Sequence, residues 1–333
     1  MYAAYINQLG PAADIQYGTF PRPRPGPTDV LVDVIATTVN PVDTFVRSGV
    51  FRTPIPFPFI IGRDAVGTVA ECGPGVHGFA VGDRVWCNSL GHDGRQGAAA
   101  EHVVVPADRL YRLPDGVDPG QAVATVHPAG TAYLALFTHG NVRPGETVVV
   151  LGAAGNVGTA VITLAHHAGA RVLAVARRRD AEHCRAHGAA EVFDYTDDDL
   201  TDRIKETSPE GVDVFIDTYG NNDLPMAVEL LAARGRIVLL AGVQARPALP
   251  VGPFYMKDCS IHGFVISHAT TAQLAEAAIT INRLLADGRL RPRHIEMLPL
   301  SEAAKAHRRM EDGELHGRRL VLRPDSYDGD QPS

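Results

Sequence analysis

Hydrophobic and polar positions follow two different patterns along the 333-residue chain. Up to about residue 113, short apolar or alternating runs are broken by Pro and Gly, which predicts short strands joined by loops. Met1–Leu9 alternates and predicts the first strand. Further strands are predicted at Val30–Ile35, Gly67–Cys72, Arg84–Asn88 and Glu101–Pro106. The first part of the chain is therefore expected to be mostly β structure.

From about Asp118 onward, strand-like runs alternate with segments of helical length. A helix is predicted near Pro119–Thr138. The apolar runs Thr147–Leu151, Arg171–Ala176 and Val212–Asp217 are each followed by a predicted helix, the last of them at Asp223–Ala232. This alternation predicts a parallel sheet with helices on both faces. The chain is also longer than a single hydrophobic core usually organises, which favours two domains. The last predicted elements, up to a strand at Arg319–Leu322, are expected to return to the first domain.

Charge and cysteine placement exclude several classes of protein. The net charge is −7 and basic residues are dispersed, which disfavours nucleic acid or an anionic membrane surface as a partner. No apolar run approaches the roughly 20 residues that span a bilayer, and the start lacks the pattern of a signal peptide, so a cytoplasmic protein is expected. The four cysteines form no CxxC pair, which disfavours a zinc cage or a disulfide framework. A small molecule is the expected partner.

A glycine-rich turn follows the predicted strand Thr147–Leu151 and precedes a predicted helix. Its residues are Gly152, Ala153, Ala154, Gly155, Asn156, Val157 and Gly158. In a dinucleotide fingerprint, the second glycine lets the backbone approach a pyrophosphate, and the third lets the helix pack on the strand. Ala153 replaces the first glycine of the usual pattern. A turn without a ligand is the alternative, but the surrounding alternation favours a dinucleotide site at the helix N-terminus.

Basic residues follow the next predicted strand, Arg171–Ala176. An NAD site carries an acidic residue at this place for the ribose hydroxyls. Here Arg177, Arg178 and Arg179 stand instead, and guanidinium groups match a phosphate dianion. The cluster therefore predicts NADPH rather than NADH. A solvated charged surface is the alternative, above all for Arg179.

Four motifs occur together in a fixed order: Asn40-Pro41-Val42-Asp43-Thr44-Phe45-Val46-Arg47-Ser48-Gly49, Ile61-Gly62-Arg63-Asp64-Ala65-Val66-Gly67, Val81-Gly82-Asp83-Arg84-Val85 and the turn Gly152–Gly158. With these motifs the chain resembles, over nearly its whole length, the zinc-free, zeta-crystallin-like quinone oxidoreductase branch of the medium-chain dehydrogenase/reductase superfamily. The resemblance implies an α/β protein. A GroES-like, mostly β catalytic domain would comprise residues 1–118 and 267–333. A Rossmann NADP-binding domain with a doubly wound parallel sheet would comprise residues 119–266, with the active site in the cleft between them.

The resemblance also bears on metal binding. Zinc alcohol dehydrogenases of this superfamily have Cys in place of Asn40 and Gly-His-Glu in place of Gly62-Arg63-Asp64. An amide and a guanidinium cannot replace a thiolate and an imidazole as zinc ligands, so neither catalytic nor structural zinc is expected. The enzyme must then stabilise the substrate oxygen by hydrogen bonds.

Site residues are carried over from the family by position. Catalytic roles are implied for Asn40, Asp43 and Thr131, although a turn before proline, a helix cap and a helix start would explain the same residues. Phe45 and Phe51 replace tyrosines of some relatives and, with Phe57 and Phe59, are expected to form an apolar wall. Without those tyrosines, the reduced substrate takes its proton either from water or from another group of the pocket. The candidates for such a group are Arg63 and His127, and a structural hydrogen bond is the alternative for the histidine.

Further cofactor contacts are implied at Tyr195, Tyr219, Gly242, Val243, Phe264, Val265, Ile266 and Arg318. The last of these replaces a lysine common in relatives. Together these residues imply NADPH-dependent hydride transfer, without zinc, to a quinone or another α,β-unsaturated carbonyl compound. An enoyl or enone reductase of a biosynthetic pathway and an NADPH-binding protein with little turnover are the alternatives. A homodimer is expected, because relatives commonly pair their Rossmann edge strands, here Ser260–Ile266.

Overall fold

The computed structural model describes residues 1–325, which form two compact units. The first comprises Met1–His127 and the described residues from Leu274 onward, and the second comprises Pro128–Gln273. The sequence analysis predicted the two domain boundaries near residues 118 and 266.

Strands and helices follow one another as the two sequence patterns predict. The strands are β1 Tyr2–Ile6, β2 Gln16–Thr19, β3 Asp29–Thr38, β4 Phe59–Ile60, β5 Ala65–Cys72, β6 Arg84–Cys87, β7 His102–Pro106, β8 Tyr111–Arg112, β9 Thr147–Leu151, β10 Arg171–Ala176, β11 Glu191–Asp194, β12 Val212–Asp217, β13 Leu231–Leu239, β14 Ser260–Gly263, β15 His294–Pro299 and β16 Arg318–Arg323. The α-helices are α1 Pro41–Ser48, α2 Pro119–Tyr133, α3 Asn156–His167, α4 Ala181–Ala186, α5 Leu200–Thr207, α6 Leu224–Leu230, α7 Val251–Met256, α8 Thr271–Ala286 and α9 Ala303–Glu311.

The first unit is built on two sheets. The larger has the strand order β15-β16-β3-β5-β6-β8, with β7 also paired to β3, and the smaller has the order β2-β1-β4. The carboxyl-terminal strand β16 pairs with β3, and Thr38 Oγ1 donates a hydrogen bond to Leu320 O at 2.7 Å. Alternate apolar residues such as Val30, Val32 and Val85 fill the core between the layers. The predicted mostly β character of this unit is confirmed.

The second unit contains a six-stranded parallel sheet with the order β11-β10-β9-β12-β13-β14. Consecutive residues Val148, Val149 and Val150 of the central strand are all fully buried, so both faces of the sheet are covered. The chain first adds strands on one side of β9 and then on the other. This topology creates a switch point at the carboxyl end of β9, where ligands bind in open α/β sheets. The predicted doubly wound sheet is confirmed.

Several element boundaries differ from the predictions. The predicted helix Asp223–Ala232 ends at Leu230, because Leu231 begins β13 by pairing with Val212. The helix predicted at Pro119–Thr138 changes to π-helical geometry at Leu134–His139. Helix α7 was not predicted, and the predicted strand Ser260–Ile266 ends at Gly263. At Leu231, strand pairing determines the boundary more strongly than local helix propensity does.

Candidate functional site

The glycine-rich turn lies between β9 and α3, at the topological switch point. Gly152 has a φ of 70°, and a Cβ on it would lie 2.7 Å from Thr218 Oγ1. A Cβ on Gly158 would lie 2.3 Å from Gly152 O, so the helix can begin against the turn only with glycine at this position. Gly155 is exposed and is the N-cap residue of α3. An exposed backbone turn at the start of a 12-residue helix fits the diphosphate of a dinucleotide.

The end of β10 holds the predicted adenosine-phosphate contacts. Arg177 Nε donates to Tyr195 Oη at 3.3 Å, so the structure brings these two side chains together. Arg178 is placed differently: its guanidinium lies 3.3 Å from Asp197 Oδ1 and 3.6 Å from Asp194 Oδ2. The charge of Arg178 is therefore offset by carboxylates, whereas the partner of Arg177 is a neutral phenol.

The turn and the end of β10 are joined, since Ala153 N donates to Val175 O at 3.2 Å. Because the strands of this sheet are parallel, their carboxyl ends lie at one edge. The glycine-rich turn, Arg177 and the loops after β12, β13 and β14 therefore all belong to that edge.

A buried carboxylate that the sequence analysis missed shapes the loop after β12. Asp217 is fully buried; its Oδ1 accepts hydrogen bonds from Tyr219 N at 2.7 Å and Gly220 N at 2.8 Å, and its Oδ2 accepts one from Asn222 N at 2.5 Å. Asn222 Nδ2 in turn donates to Ala241 O at 3.0 Å, which ties this loop to the one after β13. The arrangement presents the ring of Tyr219, which is 82% exposed.

Close backbone approach explains why the predicted cofactor contact after β13 is a glycine. A Cβ on Gly242 would lie 2.4 Å from Gly220 O, and Val243 beside it is exposed. After β14, the ring of Phe264 stacks on His139 with 4.5 Å between ring centroids. Val265 is half-buried, and Ile266 is buried in a short helical turn.

The first unit contains a buried polar cluster, which we define as Asn40, Asp43, Arg63, Asp64, His127 and Arg319. Asn40 precedes α1, and its backbone N donates to Asp43 Oδ2 at 2.7 Å, so the aspartate does cap this helix. Asn40 Nδ2 also donates to Asp64 Oδ2 at 2.7 Å. Asp64 Oδ1 lies 3.0 Å from His127 Nδ1. Arg319 Nη2 donates to Asn40 Oδ1 at 2.8 Å. Side chains from distant parts of the chain thus meet at Asn40.

Burial and mutual charge set the protonation of this cluster. Burial, followed by the charge of Asp64, raises the pKa of Asp43 to about 6, while Arg63 acts in the opposite direction. Arg63 Nε lies 3.9 Å from Asp43 Oδ1, and among the described residues its guanidinium nitrogens have no hydrogen-bond partner. Burial lowers the pKa of Arg63 and of Arg319. The cluster therefore holds two carboxylates and two guanidiniums in a dehydrated setting.

Other predicted site residues lie on several elements of the two units. Phe45 is partly exposed on α1, and Phe51 packs partly buried against the core of the first unit. Phe59 is 1% exposed within that core, so its assignment to an apolar pocket wall is wrong. Arg318 Nη1 faces Glu296 Oε2 at 3.7 Å in the first unit. Thr131 is buried on α2, in the part of that helix that belongs to the second unit.

Within residues 1–325, no group of three or more His, Cys, Asp or Glu side chains is arranged to hold a metal ion. No helix in that range is long and apolar enough to cross a membrane.

Both units match known protein families. Residues 26–115 match the alcohol dehydrogenase GroES-like domain, and residues 156–280 match the zinc-binding dehydrogenase family. With the parallel sheet and its phosphate turn, these matches define an oxidoreductase of the medium-chain dehydrogenase/reductase class, whose members use a nicotinamide cofactor.

Individual relatives specify the branch. Quinone oxidoreductase of Rattus norvegicus is 33% identical over 289 residues, which cover 86% of either chain. The structure of Pseudomonas syringae pv. tomato quinone oxidoreductase superposes with a TM-score of 0.84 at 28% identity, covering 97% of this chain and 99% of that one. Escherichia coli quinone oxidoreductase, solved in complex with NADPH, gives a TM-score of 0.83 at 26% identity, covering 97% and 100%. The chain belongs to the quinone oxidoreductase branch of the superfamily, as its motifs indicated.

Proposed function

We propose that the protein reduces quinones or other α,β-unsaturated carbonyl compounds with NADPH and without zinc. The observation that carries the proposal is the pair Arg177 and Tyr195 beside a phosphate turn whose Ala153 is bonded to the same strand. A guanidinium with a neutral partner at this place suits the extra phosphate of NADPH. The E. coli relative solved with NADPH supports the same cofactor.

NADPH would supply a hydride to the substrate when bound. Backbone groups of the turn from Ala153 to Gly158 would hold its diphosphate, and Arg177 with Tyr195 would hold the phosphate on its ribose. The Asp217-braced loop would place Tyr219 and Gly242 against the remainder of the cofactor. Further contacts, carried over from the family, are proposed for Arg178, Val243, Phe264, Val265, Ile266 and Arg318.

Substrate activation is assigned to hydrogen-bond donors of the chain itself. Asn40, Asp43 and Thr131 are proposed as catalytic residues because of their positions in the family. Such preorganised donors stabilise the negative charge that develops on a carbonyl oxygen. Phe45 and Phe51, which lack an ionisable group, are proposed to contact a planar apolar substrate.

The absence of zinc is part of the proposal and has its own test. Asn40 and Arg63 offer an amide and a guanidinium where zinc enzymes of the superfamily have ligands. Metal analysis of purified protein is expected to find well below one zinc per chain. One tightly held zinc per chain that is needed for turnover would refute the zinc-free reaction.

A homodimer is proposed through the exposed edge of the parallel sheet. β14 is the last strand of that sheet, and Ile261 on it is 36% exposed. Tyr255 and Met256 of the neighbouring α7 are 63% and 75% exposed. Light scattering coupled to gel filtration would show a dimer, and Ile261→Asp would shift it towards monomer.

The activity test compares substrate classes with both cofactors. NADPH oxidation is followed by absorbance with a panel of quinones and a panel of enones, and each assay is repeated with NADH. Quinone turnover alone would make the protein a quinone reductase, and enone turnover alone would make it a reductase of conjugated alkenes. Tight NADPH binding without turnover of either panel would refute the proposed reaction and favour a binding protein.

A further inference from the structure

A carboxylate of the second unit lies beside the pair Arg177 and Tyr195. Asp194 is the last residue of β11, which runs parallel to β10, so Arg177 and Tyr195 each follow directly after a strand end. Asp194 Oδ2 accepts a hydrogen bond from the backbone N of Arg178 at 3.0 Å. Its Oδ1 accepts two from Thr196, from the backbone N at 3.0 Å and from Oγ1 at 2.8 Å. The carboxylate therefore bonds the residue after Arg177 and the residue after Tyr195.

The backbone of the pair is fixed on both sides. On the strand side, Tyr195 N donates to Ala176 O at 3.2 Å, and on the other side the next residues donate to Asp194. Arg177 is held in an extended conformation, with φ −71° and ψ 145°. Both side chains of the pair are exposed, and exposed long side chains lose rotamer freedom when they bind a ligand. A fixed backbone reduces the number of arrangements that the pair must give up.

The charge of Asp194 acts against phosphate binding. Hydrogen bonds from Thr196 lower the pKa of Asp194, so this side chain is ionised at neutral pH. A carboxylate repels a nearby phosphate dianion, and an acidic residue at the adenosine ribose usually favours NADH. The hydrogen bonds of Asp194 and its charge therefore have opposite effects on NADPH binding, and an experiment can separate them.

We propose that Asp194 is the positioning residue of the site for the ribose phosphate of NADPH. By bonding Arg178 N and Thr196, it holds Arg177 and Tyr195 in the arrangement that receives the phosphate. This effect exceeds the repulsion by its charge, so the carboxylate favours NADPH over NADH. The inference rests on the proposed function and deepens it, because it assigns part of the cofactor preference to a residue that does not touch the phosphate.

Asp194→Asn tests the proposal. The amide oxygen can accept from Arg178 N or from Thr196, but the amide nitrogen then opposes the donor on the other side. The probe is adenosine 2′,5′-bisphosphate, which carries the ribose phosphate of NADPH without the nicotinamide, and adenosine 5′-monophosphate is the reference. Isothermal titration calorimetry is expected to show a rise of about tenfold in the Kd of the bisphosphate and of less than about twofold in that of the monophosphate. A general loss of structure would raise both Kd values alike.

Asp194→Glu separates geometry from charge. Glutamate keeps the negative charge but moves the carboxylate away by one methylene, so it does not reproduce both sets of hydrogen bonds. The variant is expected to lose preference for the bisphosphate although its net charge equals that of the wild type. It also decides the question by the same titration if Asp194→Asn is unfolded at the assay temperature, which its thermal midpoint shows.

Asp197 provides a matched control. Its Oδ1 lies 3.3 Å from Arg178 Nη2, and its Oδ2 accepts from Arg203 Nη1. Within residues 1–325 this carboxylate bonds only those guanidiniums, and it accepts no backbone N–H. Asp197→Asn removes the same charge as Asp194→Asn but leaves the backbone of the pair fixed. It is expected to lower the Kd of the bisphosphate by about twofold, since the guanidiniums then lose a compensating charge.

The outcomes separate this inference from the proposed function. A wild-type chain that binds the bisphosphate no more tightly than the monophosphate would refute the proposed preference for NADPH, and this inference with it. A wild-type preference that persists or increases in Asp194→Asn or in Asp194→Glu would overturn the inference alone. An equal loss of preference in Asp197→Asn would overturn it too, because the backbone contacts of Asp194 would then not be its cause.

Discussion

Asp217→Asn is the substitution for which the structure supports the clearest quantitative prediction. The amide oxygen can take the place of Oδ1 and keep the hydrogen bonds from Tyr219 N and Gly220 N. The amide nitrogen then faces Asn222 N, which lies 2.5 Å from Oδ2 in the wild type, so two donors oppose each other. One charge-assisted bond is lost and a buried N–H is left without an acceptor, which costs about 2–3 kcal/mol. The free energy of unfolding of the second unit is expected to fall by that amount.

The same change is expected to weaken NADPH binding. The braced loop carries Tyr219 and contacts the loop of Gly242, so its displacement disturbs two proposed cofactor contacts. If about half of the lost hydrogen-bond energy is lost from NADPH binding, the Kd of NADPH rises roughly tenfold. Fluorescence titration measures the Kd. Urea unfolding followed by circular dichroism measures the stability, while the single tryptophan, Trp86, reports the first unit separately.

Asp213→Asn on the same strand is the matched control. Asp213 Oδ2 accepts one hydrogen bond, from Thr147 N at 2.8 Å, and an amide oxygen can accept it equally well. This residue lies at the amino end of the sheet, away from the proposed cofactor edge. Its substitution is expected to change stability by less than about 0.5 kcal/mol. Equal effects of the two substitutions on the Kd would refute the role assigned to the Asp217 brace.

Further predictions concern cofactor choice, packing and pH. Arg177→Ala is expected to raise the Kd of NADPH about tenfold but that of NADH little, and Arg178→Ala to do less because carboxylates already offset its charge; titrations with both cofactors measure this. Gly158→Ala is expected to abolish NADPH binding and to cost about 1–3 kcal/mol in a calorimetric unfolding experiment, since its Cβ would meet a backbone oxygen. Burial lowers the pKa of His307 to about 3, so the unfolded chain binds a proton below its usual pKa that the folded state excludes. Stability should therefore fall between pH 6.5 and 3 by up to about 1.4 kcal/mol per pH unit, and urea midpoints should show a smaller fall in His307→Gln.

Periodicity and turn chemistry were sufficient to predict the second unit. The apolar runs that became β9, β10 and β12 are followed by helical segments, and only a parallel sheet accommodates that alternation. The glycine fingerprint predicted that Gly158 allows close packing of the helix. The structure gives the physical reason, because a Cβ at this position would collide with Gly152 O. Asp217 was missed because it ends an apolar strand and looks like any polar residue at a strand end. Its importance depends on the loop that folds back over it, which no local pattern encodes.

In the first unit, contacts between residues far apart in sequence could not be predicted. Asp64 and His127 are 63 residues apart in sequence and meet only because α2 packs beside the start of β5. The sequence analysis proposed His127 but gave it no partner, since spacing along the chain contains no information on such a contact. Phe59 was misjudged for a related reason. An aromatic run beside a motif predicts an apolar surface but does not show which ring enters the core.

The charges of the buried polar cluster bear on the proposed reaction without zinc. Asp43 and Asp64 would attract a metal ion, but Arg63 and Arg319 already neutralise them, and each guanidinium is itself largely dehydrated. A divalent ion added to this setting would be repelled by two fixed positive charges that cannot be deprotonated. A cluster that holds its own positive charge in arginine side chains therefore favours the proposed zinc-free reaction over metal binding.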